Sequence, residues 1–87
     1  MNYPKISKIK VLPETYTIFI LFDNGVTKKV DFTYKLQDEL YEDLSDKVLF
    51  QQAQVDMGGY GISWNDDIDI SEYELWNLGE EQNELSI

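Results

Sequence analysis

The run Thr15 to Phe22, TYTIFILF, is followed by Asp23-Asn24-Gly25 and then by Val26 to Phe32, VTKKVDF. These eighteen residues constrain the fold more than any others. β-Branched and aromatic side chains fill the first run, and such residues suit a pleated, half-buried surface. Asn and Gly tolerate positive φ, so the middle three residues make a hairpin turn. Upstream, Ile6 to Leu12 reads ISKIKVL, with Lys8 and Lys10 alternating with Ile9 and Val11. That period of two marks a strand with one face buried. Pro13-Glu14 breaks the chain before the next strand. The expectation is an antiparallel meander of three strands.

After the meander the period changes. Leu36, Leu40, Tyr41 and Leu44 fall at i, i+4, i+5 and i+8, one face of a helix. Gln37, Asp38, Glu39, Glu42 and Asp43 take the other face. Val48-Leu49-Phe50 is an apolar knot, and QQAQVDM then reads as an edge strand through Ala53 and Val55. Turns at Gly58–Gly61 and Asn65–Asp67 bracket a short strand, Ile62–Trp64, with Ile68–Ile70 as its return. Ser71-Glu72-Tyr73-Glu74 has the capping-box form S-x-x-E. The Ser71 hydroxyl accepts from the Glu74 amide, and the Glu74 carboxylate reaches back to the Ser71 amide. Ser71→Ala should cost about 1 kcal/mol. Gly79 ends this helix, and residues 79–87 form a frayed tail. The whole, 1–87, is one small α+β domain: a three-stranded antiparallel meander, a short helix, further short strands forming a hairpin, and a C-terminal helix.

Composition narrows the chemistry. The chain has no His, Cys or Arg. It therefore lacks the commonest general base, any thiolate metal site or disulfide, and bidentate phosphate clamps. No enzyme activity and no cofactor are expected. No apolar run is long enough to cross a membrane, and the N-terminus lacks the apolar core of a signal peptide. The cytoplasm is the expected location.

The segment GGYGISWNDDIDISEYELW, Gly58 to Trp76, holds five carboxylates. An EF-hand frame starting at Asp69 puts Glu74 where the sharp turn needs Gly, and a frame starting at Asp67 puts Leu78 at the last ligand. A looser divalent-metal site, or a metal-dependent enzyme, would use Asp66, Asp67 and Asp69. Asp67 and Asp69 would share one strand face about 7 Å apart. The GGYG run has no Lys-Ser/Thr after it, as a phosphate loop requires. The reading that explains more residues is a strand–turn–strand–capped helix unit. In it Trp64 and Trp76 are core or core-edge side chains.

Charge is placed unevenly. Through Lys47 there are seven lysines and eight acidic residues; from Val48 on there are nine acidic residues and no lysine. The net charge is −10. Phosphate backbones would be repelled, so nucleic-acid binding by this chain alone is not expected. A basic protein partner is. Its contacts would fall on Asp66, Asp67, Asp69, Glu72 and the exposed face of Leu36 to Leu44. A homodimer through sheet-edge pairing is a further expectation.

The order of these features resembles the bacterial domain of unknown function 2442. The matching residues are Phe22-Asp23-Asn24-Gly25, Val30-Asp31, Leu44 with Val48 and Phe50, and Val55-Asp56. They continue in Gly61-Ile62-Ser63-Trp64, Asp69-Ile70-Ser71 and Leu75-Trp76. The resemblance runs from about Ile6 to Leu78. It implies a small α+β fold with no established catalytic residues. It also implies an antitoxin-like member of a gene pair whose neighbour encodes a small partner.

Overall fold

The structure is a computed structural model that describes residues 3–82. Two antiparallel sheets form it. The first has strand order β1 (Ile6–Leu12), β2 (Thr17–Phe22), β3 (Thr27–Asp31) and β7 (Glu80–Gln82). The second has order β4 (Gln54–Val55), β5 (Gly61–Ser63), β6 (Asp69–Ser71). Among the described residues there are two short α-helices, α1 (Lys47–Phe50) and α2 (Glu72–Leu78), besides short 3-10 turns. The α+β architecture, the meander, the later hairpin and the C-terminal helix match the expectation from sequence.

The meander forms as its residues dictate. Gly25 sits at φ 89°, and its amide closes the turn on the Phe22 carbonyl at 3.0 Å. Asn24 Oδ1 accepts from the Val26 amide at 3.0 Å. Alternation on β2 then sends Ile18, Ile20 and Phe22 to one face, where all three are fully buried. Ile62 and Ile70 from the second sheet, Trp64 and Ile68 from the turn between β5 and β6, Leu75 of α2 and Phe50 of α1 join them in the core. Aromatic edges tie it together. Phe32 meets Phe50 and Trp64 edge-on at 5.6 Å each, and Phe50 meets Tyr16 at 5.4 Å. Pairs of this geometry are worth roughly 0.5–1.5 kcal/mol beyond the area they bury.

Both tryptophans serve packing. Trp64 is buried and its indole N–H donates to the Phe50 carbonyl at 3.0 Å. Trp76 is half-buried at the core edge, edge-on to Phe22 at 5.0 Å. The Lys28 ammonium covers its ring at 3.8 Å and donates to its carbonyl at 2.6 Å.

Three expectations need correction. Leu36–Leu44 is not a helix. It is two 3-10 turns, Lys35–Gln37 and Glu42–Ser45, separated by extended backbone at Asp38. The Asp38 carboxylate accepts from the Leu40 amide at 2.9 Å, an alternative to helical pairing that Asp offers readily. Leu40 is left 72% exposed while Leu44 and Tyr41 are buried. The short helix falls later, at Lys47–Phe50, with the Asp46 side chain capping the Val48 amide.

The second correction concerns residues 79–87. Glu80–Gln82 is not frayed but pairs with Thr27–Lys29, setting Glu81 opposite Lys28 and Glu80 opposite Lys29. Residues 83–87 of the expected tail lie outside the described residues. Gly79 does end α2, but in extended rather than left-handed backbone. A Cβ there would stand 2.7 Å from the Lys28 Cβ, so its use is close approach to β3.

The third concerns the Ser71 capping box, of which one half forms. The hydroxyl accepts from the Glu74 amide at 3.2 Å, while the Glu74 carboxylate pairs with Lys35.

Candidate protein interface

Asn65, not the aspartates, builds the turn between β5 and β6. Its side-chain oxygen accepts from the amides of Asp67 and Ile68, both at 2.9 Å. Trp64 and Ile68 close the turn through a backbone bond at 3.0 Å. Asp66 and Asp67 are thereby exposed in the loop. Asp69 begins β6 opposite Ser63. Asp67 thus lies ahead of the strand rather than on a face of it with Asp69.

Asp66 and Asp69 border a shallow hollow of about 560 Å³ together with Ser63, Trp64, Gln52 and Gln54. Glu72 does not join them. It pairs with Lys5 at 3.3 Å, and its side chain is only 14% exposed. Among the described residues, no three acidic side chains converge as metal ligands.

A second acidic surface comes from the segment that is not a helix. Glu39, Glu42, Asp43 and Asp46 are exposed along it. Leu36, Glu42, Asp43, Ser45, Asp46 and Leu49 line an open groove of about 580 Å³. Leu40 and Val48 stand exposed nearby in the sequence, Val48 at 69%. Leu49 and Asp46 were not singled out from sequence. The signal at Asp46 was an aspartate two residues before a free amide, the same device as at Asp38.

Tyr41 links the two acidic segments. It is buried, and its hydroxyl donates to the Asp69 carbonyl at 3.3 Å. The Lys35 ammonium lies 4.9 Å from the ring centre and pairs with Glu74. Burial pushes the phenol above the usual tyrosine range. Glu74 pushes it further, Lys35 opposes, and Asp38 and Asp69 add smaller increments. Glu74, Asp38 and Asp69 thus act electrostatically on one phenol, and Lys35 opposes them. The Tyr41 hydroxyl acts here as a hydrogen-bond donor.

Lys8, Lys10 and Lys29 are exposed, while the other four lysines have partners. Lys5, Lys35 and Lys47 pair with Glu72, Glu74 and Glu14, and Lys28 is held by Trp76. Such surface pairs contribute little stability, typically about 0–1 kcal/mol. The Glu39–Asp46 and Asp66–Asp69 carboxylates are exposed and outside these pairs. No helix among the described residues is long and apolar enough to cross a membrane.

No curated protein and no solved structure matches the chain. A family model described as protein of unknown function (DUF2442) matches residues 6–81. That span takes in every strand of both sheets but the last residue of β7, and with it both acidic segments. The chain belongs to the DUF2442 family.

Proposed function

We propose that this protein is a non-enzymatic, acidic interaction module for a basic protein partner. In this reading it acts as an antitoxin does, covering a surface of the partner that would otherwise face nucleic acid. The observation that carries the reading is the open groove lined by Leu36 and Leu49 together with Glu42, Asp43 and Asp46. Apolar surface supplies affinity, and the carboxylates supply orientation and rate of encounter. The Asp66–Asp69 hairpin extends the same sign of charge across Tyr41.

Co-expression with the product of the neighbouring gene, followed by purification at low salt, tests the idea. A complex is expected, and it should weaken as salt is raised. Glu42 and Asp43 are exposed. The double variant Glu42→Lys/Asp43→Lys should therefore fold normally and bind about tenfold or more weakly, since reversing two lining charges removes roughly 1–2 kcal/mol. Absence of a complex at low salt would end the proposal. A complex that tolerates the double variant would remove this groove from it.

A further inference from the structure

We propose that Asn24-Gly25 is a latent self-modification site. The closed hairpin keeps Asn24 an amide. Opening of the hairpin lets the Gly25 nitrogen convert it, through a cyclic imide, to aspartate or isoaspartate. The site lies in the β2–β3 turn alone and does not depend on the acidic surface described above.

Of the five asparagines in the chain, Asn24 is the one that a glycine follows. The reaction requires the next residue's main-chain nitrogen to reach the side-chain Cγ, and glycine has no Cβ to hinder that approach. Nothing covers the turn. Asn24 is exposed, and a Cβ at Gly25 would meet nothing within 4 Å. Water and hydroxide therefore have access, and protection falls to hydrogen bonds.

The closed turn engages both reacting groups. The Gly25 N–H donates to the Phe22 carbonyl at 3.0 Å, so the proton that must leave is already shared. Asn24 Oδ1 accepts from the Val26 amide at 3.0 Å, which ties the side chain to the amide beyond the nucleophile. The Phe22 amide donates to the Val26 carbonyl and the Asp23 amide to the Lys5 carbonyl, both at 2.8 Å. The Lys5 amide returns a bond to Asp23 Oδ1 at 3.2 Å. Ile18, Ile20 and Phe22 of β2 are fully buried, so opening this hairpin disturbs the core.

Once the turn opens, hydroxide takes the Gly25 N–H proton and the nitrogen attacks Asn24 Cγ. The new C–N bond closes the imide. The Cγ–Nδ2 bond breaks, and ammonia leaves with a proton drawn from water, which restores the hydroxide. Water then opens the ring. Cleavage at the side-chain carbonyl gives aspartate, and cleavage at the main-chain carbonyl gives isoaspartate. Aspartate keeps an oxygen for the Val26 amide, and the turn closes again. Isoaspartate adds one atom to the main chain between Phe22 and Val26, so the bonds that close the hairpin lose their register. The site thereby marks copies of the protein that have opened.

The test holds three samples at mildly alkaline pH: the full chain in native buffer, the full chain unfolded in urea, and the free peptide acetyl-Phe-Asp-Asn-Gly-Val-Thr-amide. Mass spectrometry of digests follows the conversion of Asn24. The unfolded chain should keep pace with the peptide. The folded chain should lag by about tenfold or more, because only its opened fraction reacts. Isoaspartyl copies, separated by ion exchange, should melt below the variant Asn24→Asp, which carries the same added charge on an ordinary backbone. A folded chain that converts as fast as the peptide overturns the proposal. So does an unfolded chain that converts as slowly as the folded one, or an isoaspartyl form that melts with Asn24→Asp.

Discussion

Replacing Trp64 by phenylalanine separates packing from hydrogen bonding in the core. The side chain is 5% exposed and touches Phe32 and Phe50 through its ring. Its indole N–H is a short, well-formed donor to the Phe50 carbonyl. That carbonyl has one other partner, the Ala53 amide at a long 3.4 Å. Phenylalanine keeps an aromatic ring but removes the donor and the volume of the second ring. Losing a hydrogen bond to a buried acceptor costs about 1–3 kcal/mol. The smaller side chain adds a cavity term, so the total should reach about 2–3 kcal/mol. Trp64→Ala should cost about 3–5 kcal/mol. A domain of 87 residues has a total stability of about 4–13 kcal/mol. The phenylalanine variant should therefore fold and the alanine variant should be marginal. Urea denaturation followed by circular dichroism measures both. At about 4–8 °C per kcal/mol, the melting temperature of Trp64→Phe should fall by roughly 10–20 °C. A Trp64→Phe loss below about 0.5 kcal/mol would mean that neither the bond nor the second ring matters. The account of Trp64 as a core residue would then fail.

Two further outcomes follow from the geometry. Gly25 and Gly59 both have positive φ, but a Cβ at Gly25 meets nothing within 4 Å, whereas one at Gly59 would lie 2.4 Å from the Ile6 carbonyl oxygen. Gly25→Ala should cost about 1–2 kcal/mol, the backbone term alone. Gly59→Ala should cost clearly more, and equal losses in denaturant titration would contradict the packing of this turn on β1. The Tyr41 phenol, raised by burial and then by Glu74, favours the folded state while it stays protonated. That contribution is complete below the ordinary tyrosine value of about 10 and is lost as pH rises through the higher folded value. Thermal melts should show an alkaline loss of stability in the parent that Tyr41→Phe lacks. Glu74→Gln should lower the Tyr41 midpoint; ionisation of Tyr41 together with the exposed tyrosines would refute the assignment.

The candidate interface was only partly legible in sequence. Asp66 and Asp69 border one hollow, while Asp67, expected to share a strand face with Asp69, lies in the loop ahead of β6. Glu72 does not join, because it pairs with Lys5, sixty-seven residues earlier in the chain. No local pattern encodes such a partner. Leu36 to Leu44 has helical spacing, yet Asp38 offers its carboxylate to a neighbouring amide, and Tyr41 and Leu44 reach the core without a helix. The same residues then expose Leu40 and the carboxylates that form the groove.

What the amino-acid order determined by itself was local: the alternation of β1 to β3, the Asn-Gly turn and the Ser71 cap. Each rests on interactions within a few residues, so it can be read from a short window. The tertiary structure alone decided the rest. Glu80–Gln82 is polar and carries no strand signal, yet it pairs with Thr27–Lys29 of β3, an approach that Gly79 allows. The influence of Asp69 and Glu74 on Tyr41 depends on contacts spanning tens of residues. Such contacts are chosen by the packing of the whole core, in which no single segment's preference prevails.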